Sequence, residues 1–386
     1  MADDAEKVLY SKLESIAKEQ GYENYTTDVH EFNTGGANYT SRLYHITLSA
    51  PGCPDLNVFA KVALLSEKMR SKFPVELYSN EILYYSDILK RFHEFEENYN
   101  IDTKHRLRSI KCYGYSNEYL KENIVLEDLT SKGFTTLDRF LCVDWKYASR
   151  AVTELAKFHS LSIAFRLKHP EEFENFKEKF PVIFNEHLLK DFFDNHASKT
   201  IAAIKEENRQ RLADYLKSQD FNFSKIPIRC PVLVHGDFRP SNIMHKENED
   251  GELELFLLDY QGFQISSPLM DLMYFVVIST DKEFRSKHYH QLLDLYYSEL
   301  SSSLKRLQVD PETVYTKDDF QHDVKLFEPY GVIIGTLILP TMSVFVENAR
   351  NIENTEDANM FEIDPCETGS QRLNDLIDDF VKLGVL

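Results

Sequence analysis

The feature that most constrains the fold of this chain is a pair of short apolar segments that each end in polar residues. The first is VLVHGDFRPSN, residues 232–242, and the second is LFLLD, residues 255–259. The stretch between them, residues 245–253, is polar and contains Asp250-Gly251, a dipeptide typical of a tight turn between two strands. We therefore predict a β-hairpin whose strands flank this stretch, with the polar ends of both segments close together.

Three side chains at that end of the hairpin carry oxygen atoms that suit a magnesium ion. Asp237 and Asn242 lie in the first segment, and Asp259 ends the second. Mg²⁺ prefers oxygen ligands and keeps several waters and phosphate oxygens in its shell. A turn without chemistry is the alternative, because Asp and Gly are common in turns. The combination of two carboxylates and one amide favours a metal site.

The sequence also contains, in order, the other groups that phosphoryl transfer needs. An Asp accepts the proton of the attacking hydroxyl, an Asn and a second Asp hold Mg²⁺, a strand Lys binds phosphates and a helix Glu orients that Lys. Lys61 lies in an apolar, strand-like segment, and Glu81 lies in a segment with helical spacing. An edge-strand Lys and a solvated helix Glu are the alternatives. Burying Lys61 without a partner would be costly, which favours the functional interpretation.

The length and the order of elements predict two lobes. A chain of 386 residues exceeds the ~250–300 residues that one core usually supports. Short strands with one inserted helix dominate residues 1–128, which we predict to form a β-rich nucleotide-binding lobe. Residues 129–386 are predicted to form a larger helical lobe that carries the hairpin, the catalytic residues and the acceptor pocket.

Charge and apolar patterning exclude several classes of partner. The formal net charge is −19, so we expect neither nucleic acid nor an anionic membrane surface as a partner, although local cations can still hold a nucleotide. The longest apolar run, residues 331–346, contains Pro340 and is shorter than the ~20 residues of a membrane span. The charged N-terminus predicts an amphipathic helix rather than a signal peptide. The chain is therefore expected to be cytoplasmic, and no obligate protein partner is evident.

Several motifs resemble those of known kinases. HGDFRPSN resembles the catalytic loop of protein kinases and is closer to the His-Gly-Asp form of the aminoglycoside and choline kinase-like families. Further motifs are similar, in order and spacing, to the ecdysteroid kinase-like family: GGANYTSRLYHI, NVFAKV, NEILYYSDIL, IVLEDLTSKGF, LAKFHS and LDYQGFQISSPLMDLMYF. The resemblance spans residues 30–350 and implies an α+β, two-lobed protein-kinase-like fold. Its N-lobe would be small, antiparallel and β-rich, and its C-lobe larger and mostly helical.

The resemblance also implies a role for each motif residue. Asp237 would be the catalytic base, and Asn242 and Asp259 would bind Mg²⁺. Lys61 and Glu81 would form the ion pair that binds the phosphates of ATP.

Residues around these motifs would bind the nucleotide or support the catalytic loop, residues 235–242. Adenine would meet the hinge at residues 126–129, which includes Glu127 and Leu129. The phosphate loop NTGGANY departs from GxGxxG, so its contribution would come from Gly35, Gly36 and Asn38.

Four further residues have implied or alternative roles around the catalytic loop. His235 and Asp271 would brace the loop, and Asp271 could also cap the following helix, a role that does not exclude bracing. Arg239 would stabilise the transferred phosphate, with an ordinary surface Arg as the alternative. His159, in LAKFHS, is interpreted as a packed core histidine.

The implied activity is transfer of phosphate from ATP, with Mg²⁺, to a hydroxyl of a small molecule. Within the family the acceptor would be an ecdysteroid hydroxyl at C-22, and the product an inactive, water-soluble conjugate. Apolar segments near the C-terminus could line a steroid cavity. One alternative is a kinase of another alcohol, such as choline or an aminoglycoside-like amine. A second alternative is a pseudokinase that binds nucleotide or steroid without turnover.

Overall fold

Most of the described strands lie before residue 137, and most of the described helices lie after residue 144. The computed structural model describes residues 2–32, 41–64, 66, 67, 70, 77–138, 140–179, 189, 190, 193, 197–219, 226–342 and 367–386. The strands are β1 (Thr26–Phe32), β2 (Ser41–Ser49), β3 (Leu56–Ala63), β4 (Cys112–Ser116), β5 (Asn123–Glu127), β6 (Thr135–Thr136), β7 (Val232–Val234), β8 (Ile243–Glu247), β9 (Leu253–Leu257) and β10 (Gln264–Ser266).

The α-helices outnumber the strands after residue 145. They are α1 (Ala2–Glu19), α2 (Leu77–Leu83), α3 (Leu89–Asn98), α4 (Trp145–Lys168), α5 (Pro170–Lys179), α6 (Ala197–Ala203), α7 (Glu206–Ser218), α8 (Pro268–Ser279), α9 (Lys282–Arg306), α10 (Pro311–Val314), α11 (Lys317–Met342) and α12 (Glu367–Lys382). The chain therefore has the predicted α+β character, whereas the predicted lobe boundary at residues 128 and 129 stays a prediction.

An antiparallel sheet of five strands, in the order β1-β2-β3-β5-β4, supports Lys61. Lys61 pairs in register with Leu43 of β2 and Ile124 of β5, so it lies on a central strand and not on an edge. Apolar residues of α1 pack with alternate residues of β3, including Val58 and Val62. Because side chains alternate along a strand, Lys61 lies on the face opposite α1.

The helical segment after β3 contains a π-helical turn. α2 carries Glu81, and residues 84–88 then form five residues of π-helix before α3 continues the path. π-turns inside helices often occur at functional sites. Here the turn packs the Tyr84 ring against Tyr260, with ring centroids 3.4 Å apart and planes at 17°. The helical segment is therefore packed against the chain that follows Asp259.

The predicted hairpin is present, with a shorter turn than expected. β8 and β9 pair in antiparallel register from Ile243 with Leu257 to Glu247 with Leu253, so both strands extend into the predicted turn region. The apolar segment before the catalytic loop is not part of this hairpin. It forms β7, which pairs with β10. The catalytic loop therefore runs from one small sheet to another.

Buried helices form most of the main core. All twelve residues of α8 are buried, and α4 and α9 pack in the same cluster. Gly335 of α11 allows α12 to approach, since a Cβ atom there would lie 2.2 Å from Cδ2 of Leu376. Of the long apolar run, residues 331–342 belong to α11 and residues 343–346 lie outside the described residues. Among the helices that the structure describes, none is long and apolar enough to cross a membrane.

Candidate active site

Lys61 joins two carboxylates that are far apart in sequence. Its Nζ donates to Oε2 of Glu81 at 2.6 Å and to Oδ1 of Asp259 at 2.8 Å. Lys61 is 9% exposed and Glu81 is 2% exposed, so their contact is largely shielded from water. The side chain of Asn80, next to Glu81, donates to the backbone oxygens of Gln261 and Phe263 and ties α2 to the chain after Asp259. The structure thus brings together three of the predicted site residues.

The charges of these groups depend on one another. Burial disfavours a charged Lys61, but the carboxylates of Asp259 and Glu81 raise its pKa above the usual value. Burial likewise opposes ionisation of Asp259, yet the Lys61 ammonium lowers the pKa of this carboxyl. For Glu81, burial is the largest effect and raises the pKa to about 7. Lys61 and Asp259 are therefore a charged pair at neutral pH.

Asp259 has a backbone conformation that is uncommon outside glycine. Its φ is 64° and its ψ is 65°, in the left-handed region. Such residues cluster at functional sites, where the surrounding structure holds them in place. Asp259 follows β9 directly, so this conformation turns the chain sharply and directs the carboxylate back to Lys61. The side chain is 34% exposed, so the carboxylate is accessible to solvent.

Three donors converge on the carboxylate of Asp237. Nδ2 of Asn242 donates to Oδ2 at 2.8 Å, and Nε of Arg239 donates to the same oxygen at 3.1 Å. The hydroxyl of Tyr274 donates to Oδ1 at 2.5 Å. Asp237 and Asn242 thus lie together as predicted. Arg239 contacts the carboxylate of Asp237, so its assigned contact with a transferred phosphate stays a prediction.

Asn242 and Asp259 fit the chemistry of a magnesium site. Because Nδ2 of Asn242 donates to Asp237, its Oδ1 is the amide atom that can face a cation. The backbone N–H of Leu258 donates to the carbonyl of Asn242 at 2.9 Å, which places both candidate ligands at the open end of the hairpin. Within the described ranges, no group of three or more His, Cys, Asp or Glu residues forms a metal site. A carboxylate and an amide with waters and phosphates match the sparse protein ligation that Mg²⁺ accepts.

Asp271 holds the catalytic loop through the backbone of that loop. Its Oδ2 accepts the N–H of His235 at 2.7 Å, and its Oδ1 accepts the N–H of Gly236 at 2.8 Å. The helix cap is Ser267, whose Oγ accepts the N–H of Leu269, so the predicted cap role of Asp271 is wrong. These bonds fix the loop to α8, a helix whose residues are all buried.

Two histidines extend this support. Nε2 of His235 lies 2.8 Å from the carbonyl oxygen of Leu258, which links the catalytic loop to the end of β9. His159 is buried as expected, with Nδ1 2.7 Å from the Tyr296 hydroxyl and Nε2 3.1 Å from Oδ2 of Asp271. His159 is therefore a core histidine that also contacts the residue bracing the loop.

Two residues that shape the site were not predicted from the sequence. Gly236 has φ +81°, and a Cβ atom there would lie 2.0 Å from the carbonyl oxygen of Gly262. This pair of glycines lets the loop that carries Asp237 touch the loop that carries Asp259. A glycine three residues after Asp259 was the available signal. Tyr274 had a signal as well, because it lies one helical turn after Asp271 and so shares its face.

Of the residues predicted to bind the nucleotide around the hinge and the phosphate loop, the structure describes those of the hinge. Glu127 ends β5 and pairs its side chain with Lys132, whereas the carbonyl of Leu129 accepts the N–H groups of Lys132 and Phe134. Next to them, Oδ2 of Asp128 lies 2.7 Å from Nδ1 of His45 on β2. The three phosphate-loop residues, Gly35, Gly36 and Asn38, lie outside the described residues. The roles of the hinge and the phosphate loop stay predictions.

The five-stranded antiparallel sheet and the mostly helical remainder form a two-lobed, protein-kinase-like fold. The chain belongs to the ecdysteroid kinase-like family, whose model matches residues 35–309. Membership of this family supports the assignment of the protein as a small-molecule kinase.

Comparison with solved structures gives distant matches. The chain is similar to the GDP and kanamycin complex of APH(2″)-IIia, with 14% identity, a TM-score of 0.42, and coverage of 81% of this chain and 95% of that one. It is also similar to the GDP complex of wild-type aminoglycoside 2′-phosphotransferase-IIIa, with 13% identity, a TM-score of 0.38, and coverage of 84% and 98% respectively. No curated protein matches the sequence.

Proposed function

We propose that this protein transfers the γ-phosphoryl group of ATP, with Mg²⁺, to a hydroxyl of a small-molecule acceptor. The observation that carries the proposal is the bridge from Lys61 to Glu81 and Asp259, beside the Asp237–Asn242 pair. A binding module without turnover has no need of a carboxylate base next to such a bridge. Family membership supports the same class of reaction.

Each side chain then has one task in the transfer. Asp237 accepts the proton of the acceptor hydroxyl. The hydroxyl oxygen attacks the γ-phosphorus, and the bond from that phosphorus to ADP breaks. Lys61 binds the α- and β-phosphates, and Glu81 keeps Lys61 oriented toward them. Asn242 and Asp259 would hold Mg²⁺, which neutralises charge on the phosphates when it is bound. The protein therefore contributes mainly positioning and electrostatic stabilisation.

We further propose that the acceptor is an ecdysteroid hydroxyl, at C-22, so that the activity is that of an ecdysteroid 22-kinase. The support is the family to which the chain belongs. Phosphorylation at this position would convert an active or precursor steroid into an inactive, water-soluble conjugate. The apolar residues of α8 pack in the main core, so the steroid would contact other parts of the helical lobe.

Two substitutions test the assignment of base and metal ligand. Asp237→Asn should leave nucleotide binding nearly intact and lower turnover by roughly 10²–10⁴, the scale for loss of a general base. Asp259→Ala should abolish Mg²⁺-dependent nucleotide binding, measured by calorimetry with Mg·ATP. Unchanged turnover in the first variant would exclude Asp237 as the base. Tight Mg·ATP binding in the second would place the metal elsewhere.

A buried carboxylate whose partners lie outside this site provides the control for Asp237→Asn. Asp323 of α11 is 1% exposed, accepts the Tyr315 hydroxyl at 3.0 Å and pairs with Arg229 at 3.2 Å. Like Asp237, it therefore has a Tyr and an Arg partner. Asp323→Asn should lower stability without the loss of turnover, and equal losses of turnover in both variants would show a general effect of buried Asp replacement.

A further inference from the structure

Tyr274 is a buried residue that contacts the proposed catalytic base directly. It lies on α8, is 3% exposed, and donates its hydroxyl hydrogen to Oδ1 of Asp237 at 2.5 Å. One turn earlier on the same helix, Asp271 binds the backbone of the catalytic loop. A single helix therefore fixes both the backbone of this loop and the side chain of its base.

The donors divide unequally between the two oxygens of Asp237. Asn242 and Arg239 donate to Oδ2, whereas Tyr274 donates to Oδ1, although Nε of Arg239 is 3.1 Å from either oxygen. Each carboxylate oxygen has two lone pairs. Counting only the hydrogen bonds that the structure describes, Oδ2 accepts two, from Asn242 and Arg239, and Oδ1 accepts one, from Tyr274. Oδ1 is therefore the oxygen with a lone pair left for the proton of an acceptor hydroxyl.

Tyr274 is suited to remain a donor throughout the reaction. Burial, followed by the negative charge of Asp237, raises the pKa of Tyr274 well above its usual range. The hydroxyl is therefore neutral and cannot compete with Asp237 as a base. Its ring lies in the main core, on a helix whose twelve residues are all buried. A rigid donor on Oδ1 fixes the rotation of the carboxylate about its Cβ–Cγ bond.

We propose that Tyr274 is a positioning residue that holds the Asp237 carboxylate so that Oδ1 receives the acceptor proton. The inference rests on the proposed kinase function and adds a specific orientation to it. In the transfer, the acceptor O–H bond breaks and an O–H bond forms on Oδ1 of Asp237. The acceptor oxygen bonds to the γ-phosphorus, and the bond to ADP breaks with its electron pair. Tyr274 does not exchange a proton in this scheme.

The test is Tyr274→Phe, which removes the hydroxyl and keeps the ring. Turnover with the acceptor should fall about 10- to 100-fold, because the carboxylate loses its fixed orientation. The KM for ATP and the affinity for Mg·ATP should stay within about twofold, because Lys61, Asn242 and Asp259 are untouched. A general loosening of the fold would change these constants together with turnover, so the split between kcat and KM separates the two explanations.

A double-mutant cycle with Asp237→Asn gives a second, independent readout. If Tyr274 acts through Asp237, Tyr274→Phe should lower kcat by less than about threefold in the Asp237→Asn background, since residues that act as a unit are not additive. Tyr315→Phe is the matched control, because Tyr315 is also buried and donates to an Asp carboxylate, that of Asp323. Tyr315→Phe should leave kcat near the wild-type value in both backgrounds.

The outcomes separate this inference from the proposed function. Wild-type kcat in Tyr274→Phe, or equal effects of Tyr274→Phe in both backgrounds, would overturn the positioning role while leaving the kinase assignment intact. Equal losses in Tyr274→Phe and Tyr315→Phe would also overturn it. Absence of phosphate transfer by the wild-type protein to any alcohol would overturn the proposed function, and the positioning role with it.

Discussion

Replacing Gly236 by alanine perturbs the closest approach of the two loops that carry Asp237 and Asp259. The added Cβ would lie 2.0 Å from the carbonyl oxygen of Gly262, where ordinary contacts begin at 3.4 Å, so the loops must separate by about 1.4 Å. Overpacking of this kind costs about 1–3 kcal/mol. The left-handed φ of +81° adds about 1–2 kcal/mol for any residue with a Cβ. We expect a loss of about 2–5 kcal/mol in the free energy of unfolding.

Separation of the loops should also disturb catalysis. A misplacement of about 1 Å between catalytic groups lowers turnover by about 10²-fold, so Gly236→Ala should lose activity beyond its loss of stability. The assays are urea unfolding and ADP release at saturating ATP.

Gly251→Ala is the control for Gly236→Ala, because Gly251 has φ +77° but its added Cβ would meet only Oε1 of Glu247 at 3.6 Å. This variant should lose about 1–2 kcal/mol and no activity. Equal stability losses in the two variants, with wild-type kcat in Gly236→Ala, would refute the reasoning.

Three further substitutions test other parts of the structure. Burial raises the pKa of Glu96 from 4.5 to about 7 in the folded protein, so the contribution of Glu96 to stability falls as pH rises between these values. Glu96→Gln should therefore stabilise the protein at pH ~8 by up to about 3 kcal/mol and little at pH ~4. Equal urea midpoints of mutant and wild type at high pH would contradict this. Lys61→Met leaves the carboxylates of Asp259 and Glu81 without their cation. The KM for ATP in initial-rate assays should therefore rise at least about tenfold, and the free energy of unfolding should fall by about 3–5 kcal/mol. An unchanged KM would exclude Lys61 from phosphate binding. Gly335→Ala should lower the free energy of unfolding by about 1–3 kcal/mol, because the added Cβ would crowd Leu376 of α12. Leu376→Ala in the same chain should recover part of this loss in urea unfolding. No recovery would show that the clash with Leu376 is not the cause.

The sequence was informative where local pattern decides the structure. Short strand-like segments predicted a β-rich region within residues 1–128, and the Asp250-Gly251 turn predicted the pairing of β8 with β9. The order of Lys61, Glu81 and the HGD motif predicted a phosphoryl-transfer site, because each residue type has a distinct task in that chemistry.

Features that depend on tertiary contacts could not be predicted in the same way. The pairing of β7 with β10 joins segments separated by the whole hairpin, and three-residue strands carry too little pattern to specify a partner. Tyr274 lies in a helix that is buried all round, so its spacing from Asp271 places it on the same helix face but does not show that its hydroxyl donates to Asp237. The predicted hairpin turn, residues 245–253, was too long, because the polar residues at the ends of β8 and β9 belong to the strands and not to the turn.

The proximity of Gly236 and Gly262 illustrates the same limit. Each glycine could be read as part of a turn, since glycine supplies left-handed conformations. Their contact, at which either Cβ would clash with the backbone of the other loop, becomes visible only when the two loops are placed together. Residues that bear chemistry were therefore predictable from type and order, whereas residues that allow close approach were not.

The most direct test of the proposed function is incubation of the purified protein with ATP, Mg²⁺ and a panel of ecdysteroids, choline and aminoglycosides, followed by mass spectrometry of the products. We predict a mass increase of one phosphate on an ecdysteroid, located at the C-22 hydroxyl, in reactions with the wild-type protein and at a level reduced by roughly 10²–10⁴ with Asp237→Asn. Phosphorylation of choline or an aminoglycoside instead would contradict the proposed acceptor. No phosphorylated product from the wild-type protein, or equal product from the Asp237→Asn variant, would contradict the catalytic role assigned to this site.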